Sequence, residues 1–436
     1  MKSCLSAILV LPLAFSLISC RLSAQTYADS SLTGRPIQSI QIYGNTRTRP
    51  EVILREMTLH TGDPLCPDQL ETDRKQIENL LLFNRVQIFT EPRNRGVALV
   101  IWVTEQWYLL PYPVLHINER DWKKISYGAG LMHLNFRGRA ENINARFKLG
   151  YNPLVDLGYY NPWLGGRRNL IMHITTAAKK VRSKHFGDRD IDERHLEFNW
   201  IIGKRFGLHF YTHIGLGYEQ LTYDPVSAGK TLLSSGCDRL IHLYLYAIWD
   251  YRDLKTYPHR GWYLLWEGRK TGIPSYTIDY WKTSIDARKY FPVPGAATLA
   301  LRLTGTLSSG TLPVYDRVYL GYSERIRGHF FETMEGENRM LASAAFRFPL
   351  LPVQYFSASE RAALSNLRFG ISASLFVDSG TVWFTGQSET ITEETVWTGF
   401  GGGLHFHLPY NTLFRLELGF NEDLQTQVIA DLYVDI

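Results

Sequence analysis

The chain has 436 residues, a formal net charge of +5 at pH 7 and a mean hydropathy of −0.17. Aromatic residues make up 13% of it, including 25 tyrosines and 11 tryptophans. So small a charge on so long a chain argues against a nucleic-acid partner. Abundant Tyr and Trp without long apolar runs is typical of membrane β-barrels, whose aromatic girdles lie at both bilayer interfaces.

The first 24 residues are predicted to be an export signal. Lys2 precedes an apolar stretch over residues 5–18, which is too short to cross a bilayer as a helix. Residues 17–20 resemble a lipoprotein box, which would leave a lipidated Cys20 at the new N-terminus. Cleavage after Ala24 would instead leave an unmodified Gln25, although Leu22 is larger than the −3 position of such a site prefers. Both alternatives stay open, and both export the protein from the cytoplasm.

No later run of about 18 apolar residues follows, so no membrane-spanning helix is predicted. Only helices and closed barrels satisfy every backbone polar group in lipid. An exported chain of this kind that enters a membrane must therefore do so as a β-barrel in a bacterial outer membrane. Cys66 and Cys237 lie far apart in the sequence, and no disulfide is expected between them.

Residues 25–35 are small and polar and are predicted to be a linker, and residues 36–106 a compact α+β domain in the periplasm. Thr48 and Glu51 match a capping box, and Pro50 favours the first helical turn. Gly62-Asp63-Pro64 is expected to break this helix. The predicted elements are a strand over 37–43, a helix from Thr48 to about Leu59, a helix over 67–82 and strands over 85–90 and 96–104. The order is β-α-α-β-β.

Residues 107–436 change to short segments in which apolar and polar residues alternate, the pattern of a barrel wall between lipid and lumen. The pattern predicts a transmembrane antiparallel β-barrel of about sixteen strands. A moderate loop is expected over 218–237 and a long one over 307–336, and loops of that length are usually functional. The predicted strands start near residues 107, 124, 140, 153, 168, 193, 207, 238, 261, 277, 297, 337, 368, 397, 412 and 426.

The long loop contains Arg327 and Gly328, and the second strand after it carries Phe376, Asp378 and Gly380. Alternation along that strand places Asp378 in the lumen, where a carboxylate needs a cationic partner. An arginine on an inward-folded loop offers a bidentate one. We call these five residues the luminal lock. Taken singly, Arg327 and Asp378 are as well explained as unconnected exposed charges.

An Ile-Arg-Gly turn before the twelfth strand and Phe-x-Asp-x-Gly on the thirteenth resemble the BamA/TamA family of outer-membrane assembly and translocation proteins. The β-α-α-β-β domain resembles a POTRA domain, and the resemblance covers about residues 36–436. It implies that the loop folds into the lumen and that its Arg-Gly turn contacts the thirteenth strand. Three features depart from the family: His329 intervenes before Phe330, the chain ends in Ile436 rather than an aromatic residue, and one POTRA unit replaces several.

The resemblance also implies a weak seam between the first and last barrel strands. The first strand contains Pro111 and Pro113, whose nitrogens cannot donate to a β-ladder and would both face the same neighbour. We expect that neighbour to be the last strand, with Val434 and Ile436. We call the junction between the first and last strands, marked by these four residues, the lateral seam. In the alternative, both prolines belong to a linker before a strand that starts near residue 124.

Three function classes remain open. They are assembly or insertion of outer-membrane proteins, dedicated export of one partner as in two-partner secretion, and a structural surface-antigen barrel. The expected partners are the outer-membrane bilayer, unfolded outer-membrane or secreted clients captured by β-augmentation at the POTRA edge, and periplasmic chaperones or accessory lipoproteins. One POTRA unit mildly favours a specialised role.

No catalytic residue, metal site or cofactor is expected. The glycine-rich residues 399–403 lie on a predicted strand, which favours close strand packing over nucleotide binding. His405 and His407 share one strand face, but no third metal ligand is evident. No nucleophile elbow occurs.

Overall fold

The computed structural model describes residues 26–27, 29–117, 122–183, 191–224, 230–272, 277–386 and 395–432. The predicted export signal with Cys20 lies outside the described residues, as do Val434 and Ile436. Within the described ranges, no helix is long and apolar enough to cross a membrane.

The N-terminal domain is a four-stranded sheet with two helices. The strand order is β1-β3-β4-β2, with β1 and β2 parallel to their neighbours and β3 antiparallel to β4. The core lies between the sheet and the helices and includes Ile53, Leu70 and Ile88. The elements are β1 (Thr26–Tyr27), β2 (Ile37–Tyr43), α1 (Pro50–Leu54), α2 (Pro67–Glu78), β3 (Phe83–Arg93) and β4 (Gly96–Glu105).

The capping-box prediction was wrong. The residue before helix α1 is Arg49, no side chain caps the helix, and the helix ends at Leu54 rather than near Leu59. Thr48 is occupied elsewhere, because its hydroxyl lies 2.9 Å from the Tyr108 hydroxyl and accepts a hydrogen bond from the Asn135 amide. A tertiary contact therefore takes the side chain that local spacing assigned to the helix end.

Two further boundaries differ from prediction. Helix α2 ends at Glu78, and Leu81 has a φ of 56°, a left-handed conformation that stops the helix before Leu82. The predicted linker is partly structured: it contributes strand β1 and a 3-10 turn, and Leu32 is buried in the domain core. The core therefore extends beyond the β-α-α-β-β unit.

The rest of the chain is a sixteen-stranded antiparallel sheet, which confirms the predicted strand count. Neighbours in the sheet are consecutive along the chain, except where a two-stranded hairpin separates β15 from β18. The strands are β5 (Leu109–Ile117), β6 (Ile125–Phe136), β7 (Glu141–Gly150), β8 (Leu154–Leu164), β9 (Leu170–Arg182), β10 (Asp192–Phe206), β11 (Phe210–Asp224), β12 (Cys237–Asp250), β13 (Gly261–Thr271), β14 (Tyr280–Val293), β15 (Ala297–Gly310), β18 (Asn338–Phe356), β19 (Leu367–Trp383), β20 (Trp397–Leu408), β21 (Thr412–Phe420) and β22 (Thr426–Leu432).

The sheet curls so that distant strands meet across its concave side. The Tyr257 hydroxyl, in the β12–β13 turn, lies 3.1 Å from His405 on β20, and Arg347 on β18 donates to the Pro258 carbonyl at 2.7 Å. Alternation separates the two faces as predicted: on β19 the side chain of Leu375 is 59% exposed, whereas Asp378 is 1% exposed. The outer face therefore meets lipid and the inner face lines a polar lumen.

The two predicted loops differ in character. The long one, between β15 and β18, is ordered by a short hairpin, β16 (Val318–Leu320) and β17 (Met334–Gly336). The moderate one is shorter than expected, because β11 continues to Asp224. The hairpin confines residues 321–333, which carry the Arg-Gly turn.

The N-terminal domain sits against one end of the barrel, which we call the proximal end. It contacts three turns spaced around the rim: the Arg49 amide donates to Gly138 at 2.9 Å, Asn79 donates to Asp253 at 3.0 Å, and Asn84 donates to Ser365 at 3.0 Å. These contacts reach the β6–β7, β12–β13 and β18–β19 connections, so the domain lies beneath the mouth and not beside it.

Candidate functional site

The structure brings together the two charged residues of the luminal lock. Arg327 donates two side-chain hydrogen bonds of 2.7 Å to the two oxygens of Asp378, and its backbone amide donates a third of 3.0 Å. Arg327 is 5% exposed and Asp378 1% exposed. A bidentate pair of this kind fixes orientation as well as charge, so the loop is anchored to β19 from inside the barrel.

One aromatic residue and one further acidic residue also contact Arg327. Its guanidinium lies 3.7 Å from the centre of the Phe376 ring, a cation–π contact in a desolvated setting. It also donates to Glu417 on β21 at 3.3 Å, and His405 lies 3.1 Å from the same Glu417 oxygen. Glu417 was not singled out from the sequence, although alternation with outward-facing Leu416 and Leu418 marks it as luminal.

Gly328 and its surroundings permit a close backbone approach. Gly328 has a φ of 115°, and a Cβ there would lie 2.3 Å from the Phe420 carbonyl oxygen on β21. A Cβ at Gly399 on β20 would lie 1.7 Å from the Arg327 carbonyl oxygen. A Cβ at Gly419 on β21 would lie 2.8 Å from the Gly328 amide nitrogen, whereas a Cβ at Gly380 would meet the Met340 carbonyl oxygen of the neighbouring strand at 2.8 Å. Glycines on three elements therefore let the Arg-Gly turn sit flat on the inner wall.

The same loop also holds the last two strands. His329 contacts Glu422, in the β21–β22 connection, at 2.6 Å and stacks on Trp397 with ring centres 4.6 Å apart. The Phe330 amide donates to the Gln427 side chain on β22 at 2.5 Å. His329, which departs from the family turn, is thus a second anchor of the loop, on the barrel's C-terminal edge.

Strands β5 and β22 end the sheet, and among the described residues no pairing joins them. Pro111 and Pro113 lie within β5, not in a linker. Leu134 donates its amide to the Tyr108 carbonyl, in the same register that pairs Leu109 with His133. Even-numbered residues of β5 therefore bond to β6, and both proline nitrogens point to the free edge. That edge lacks two donors.

A buried ion pair joins the domain to the barrel at the proximal end. Glu56, just after α1, accepts hydrogen bonds of 2.7 and 2.6 Å from Arg205 at the end of β10. Burial alone would raise the pKa of Glu56, but the hydrogen bonds and charge of Arg205 lower it below its usual value. Burial lowers the pKa of Lys255, in the nearby β12–β13 turn. Sequence reasoning missed this interface.

Other luminal polar groups satisfy one another. His195, Glu197 and Glu219 place ligand atoms within 4.8 Å of one another. His195 already contacts Glu219 at 2.7 Å, and Lys179 pairs with Glu197 at 2.5 Å, so the cluster is a charge network of the wall. His407 contacts Ser372 at 3.0 Å. Cys66 and Cys237 are both free.

Both the barrel and the N-terminal domain match known protein families. Residues 135–428 match the Omp85 superfamily domain, and residues 36–106 match the POTRA family described as a surface antigen variable number repeat. Similar solved structures include BamA from Haemophilus ducreyi lacking POTRA domains 1–3 (14% identity, 92% of this chain and 84% of that chain, TM-score 0.54).

CdiB from Escherichia coli is also similar (14% identity, 92% and 76% coverage, TM-score 0.57), as is CdiB from Acinetobacter baumannii (13%, 92% and 73%, 0.50). Identities this low show the fold alone. The superfamily match, in contrast, covers most of the chain, and it agrees with the Arg-Gly turn, the β19 motif and the POTRA-like domain. This protein belongs to the Omp85 superfamily of outer-membrane proteins, whose members act in protein insertion or translocation.

Proposed function

We propose that this protein inserts client proteins into the outer membrane. Clients are captured by β-augmentation at the POTRA-like domain in the periplasm and leave through the lateral seam between β5 and β22. The observation that carries the proposal is the unpaired edge of β5, where Pro111 and Pro113 remove two donors from the side that faces the last strand.

A weak seam suits an insertase because it exposes a strand edge within the membrane. An unpaired edge is a template for another strand, and a barrel precursor supplies strands whose backbone groups need partners in lipid. A strand that pairs with the edge of β5 forms an incomplete ladder, because two donors of that edge are absent. A client strand can therefore add there and later leave at low cost, whereas a fully paired barrel wall offers no such place.

The luminal loop supports the seam by holding the strands next to it. Arg327 fixes the loop to β19 and β21, while Phe330 contacts β22 through Gln427. The loop thus stabilises the C-terminal edge from inside, whereas Pro111 and Pro113 remove two donors from the edge of β5. We infer that opening moves β5 and its neighbours away from a loop-supported β22.

Lateral release requires fewer rearrangements than export through the lumen. The loop packs on the inner wall at β19–β22, and the POTRA-like domain contacts the proximal mouth through Glu56–Arg205 and the turn contacts. Dedicated export of one partner, as in two-partner secretion, is the alternative, and it requires both obstructions to move. A purely structural barrel leaves the weakened β5 edge unexplained.

Depletion of the protein followed by quantitative outer-membrane proteomics tests the proposal. We expect many barrel proteins to fall together, with periplasmic chaperones and accessory lipoproteins recovered in complex with the protein. Loss of a single secreted protein would replace the proposal with dedicated export. An unchanged outer-membrane proteome would leave only a structural role.

Cysteine cross-linking tests the seam itself. Tyr112→Cys, between the two prolines, is combined with a series of single cysteines along β22, in a background with Cys66→Ser and Cys237→Ser. The matched control pair, Leu115→Cys with Tyr127→Cys, joins partners across β5 and β6. We expect fast oxidation of the control pair and slow, incomplete oxidation at the proline level. Uniformly efficient cross-linking along the seam would contradict the proposal.

A further inference from the structure

The edge strand β3 of the POTRA-like domain already has a neighbour, the N-terminal segment of the same chain. Thr26 and Tyr27 pair in parallel with Ile88 and Phe89, and the Asp29 amide donates to the Thr90 hydroxyl at 3.1 Å. We call the described residues 26–27 and 29–32 the N-terminal cap. The cap lies along the middle of the strand that would otherwise be the outer edge of the sheet β3-β4-β2.

The cap is well tethered but weakly paired. Leu32 is 3% exposed in the domain core, and the next residues are fixed by hydrogen bonds of 2.9 Å from Gly34 to Leu65 and from Leu65 to Arg35. Among the described residues, two residue pairs join the cap to β3. A short tether raises the effective concentration of the pairing residues, while few hydrogen bonds keep the pairing reversible.

The barrel-proximal end of β3 is covered as well. Asn84 donates to three carbonyls of the β18–β19 turn, and Arg85 donates to Asn366 at 3.3 Å. Among the described residues, the edge of β3 is therefore covered by the barrel turn at its start and by the cap in its middle. A client strand can add to the middle of β3 only where the cap now lies.

We propose that the N-terminal cap is a displaceable placeholder for client strands, so that capture proceeds by strand exchange on β3. This inference rests on the proposed capture by β-augmentation and specifies its site and regulation. The ligand class is an extended segment of a barrel precursor, bound mainly through its backbone. The two described residue pairs and the Asp29–Thr90 hydrogen bond correspond to roughly a 10- to 100-fold effect of the cap on client affinity.

A binding experiment on the full chain in nanodiscs tests the inference. The probe is a fluorescent synthetic peptide with the sequence of residues 426–435, in which apolar and polar residues alternate. Thr26→Pro with Tyr27→Pro removes both cap amides and leaves the Leu32 anchor in place. Tyr27→Cys with Phe89→Cys, with Cys66→Ser and Cys237→Ser, fixes the cap to β3 after oxidation. Photo-cross-linkers at Gln87 on β3 and Gln41 on β2 report where the peptide binds.

We expect the uncapped variant to bind the peptide about 10- to 100-fold more tightly than the unaltered protein, with cross-linking at Gln87. The oxidised, fixed variant should not bind at β3 until a reductant is added. Equal affinity of all three proteins with cross-linking at Gln41 would overturn the cap inference and leave capture by the domain intact. No binding by the uncapped variant would overturn both. Unchanged heat-modifiable migration in electrophoresis verifies that each variant is folded.

Discussion

Replacing Arg327 by alanine should release the long loop from the lumen. The substitution removes a bidentate pair with Asp378, a hydrogen bond to Glu417 and the contact with Phe376. It also leaves two buried carboxylates without their shared cation. Breaking a buried pair from one side costs about 3–5 kcal/mol, so the docked state of the loop should lose about two to four powers of ten in population.

The remaining anchors do not offset this loss, because they already stabilise the docked loop in the unaltered protein. His329–Glu422 and Phe330–Gln427 contribute roughly 0.5–3 kcal/mol each. Hydrogen exchange of residues 321–333, followed by mass spectrometry in nanodiscs, measures the docking equilibrium directly, because the Arg327 amide is hydrogen-bonded to Asp378 in the docked state. Planar-bilayer conductance and sensitivity to large antibiotics measure the leak that an undocked loop allows.

Arg317→Ala is the matched control. It removes an arginine of the same loop that forms an ion pair with Glu335. The side chain of Arg317 is 26% exposed and that of Glu335 is 31% exposed. An exposed pair contributes about 0–1 kcal/mol, so exchange and conductance should stay near those of the unaltered protein. If Arg327→Ala behaves like Arg317→Ala, the luminal lock has no mechanical role.

Three further outcomes follow from the geometry. Gly328→Ala should weaken loop docking by about 1–3 kcal/mol, because the new Cβ would clash with the Phe420 carbonyl oxygen. Gly295→Ala is the control, since Gly295 also has a positive φ (+80°) but no atom within 4 Å of a new Cβ. Glu56→Gln should increase hydrogen exchange at the domain–barrel interface, since it leaves Arg205 buried without its counter-charge; the exposed Glu51→Gln should not. The pKa of Glu56 is lowered in the folded protein, so the ion pair contributes its full stability above about pH 5. This stability is lost only as the pH falls below the usual pKa of a glutamate. Dissociation of the interface already at pH 6 would contradict this assignment.

The barrel was predictable because its signals are local. Alternation assigns each residue of a strand to lipid or lumen, and strand count and starts follow from the same pattern. The pairing of Arg327 with Asp378 was also within reach, because alternation makes Asp378 luminal and a buried carboxylate needs a cation. Glu417 on β21 follows the same rule, so its luminal position was also predictable from alternation, whereas its contact with Arg327 was not.

The domain boundaries and contacts depend on residues far apart in sequence. Thr48 satisfies the spacing of a capping box, yet Tyr108 and Asn135 lie 60 and 87 residues away and take its hydroxyl. The Glu56–Arg205 pair joins residues separated by 149 positions. Strand β1 has two residues and no alternation to read. In each case the deciding partner is supplied by tertiary structure and has no signature in its own neighbourhood.

The position of the luminal lock along the chain has a consequence for the protein's own biogenesis. Arg327 precedes Asp378 by 51 residues and Glu417 by 90. Its partners therefore emerge after it during synthesis and export, and the loop can dock only once the last quarter of the barrel is in place. A precursor that is stalled before β19 lacks both acidic partners of Arg327, so its loop should stay undocked, and limited proteolysis of a correspondingly truncated chain would measure this.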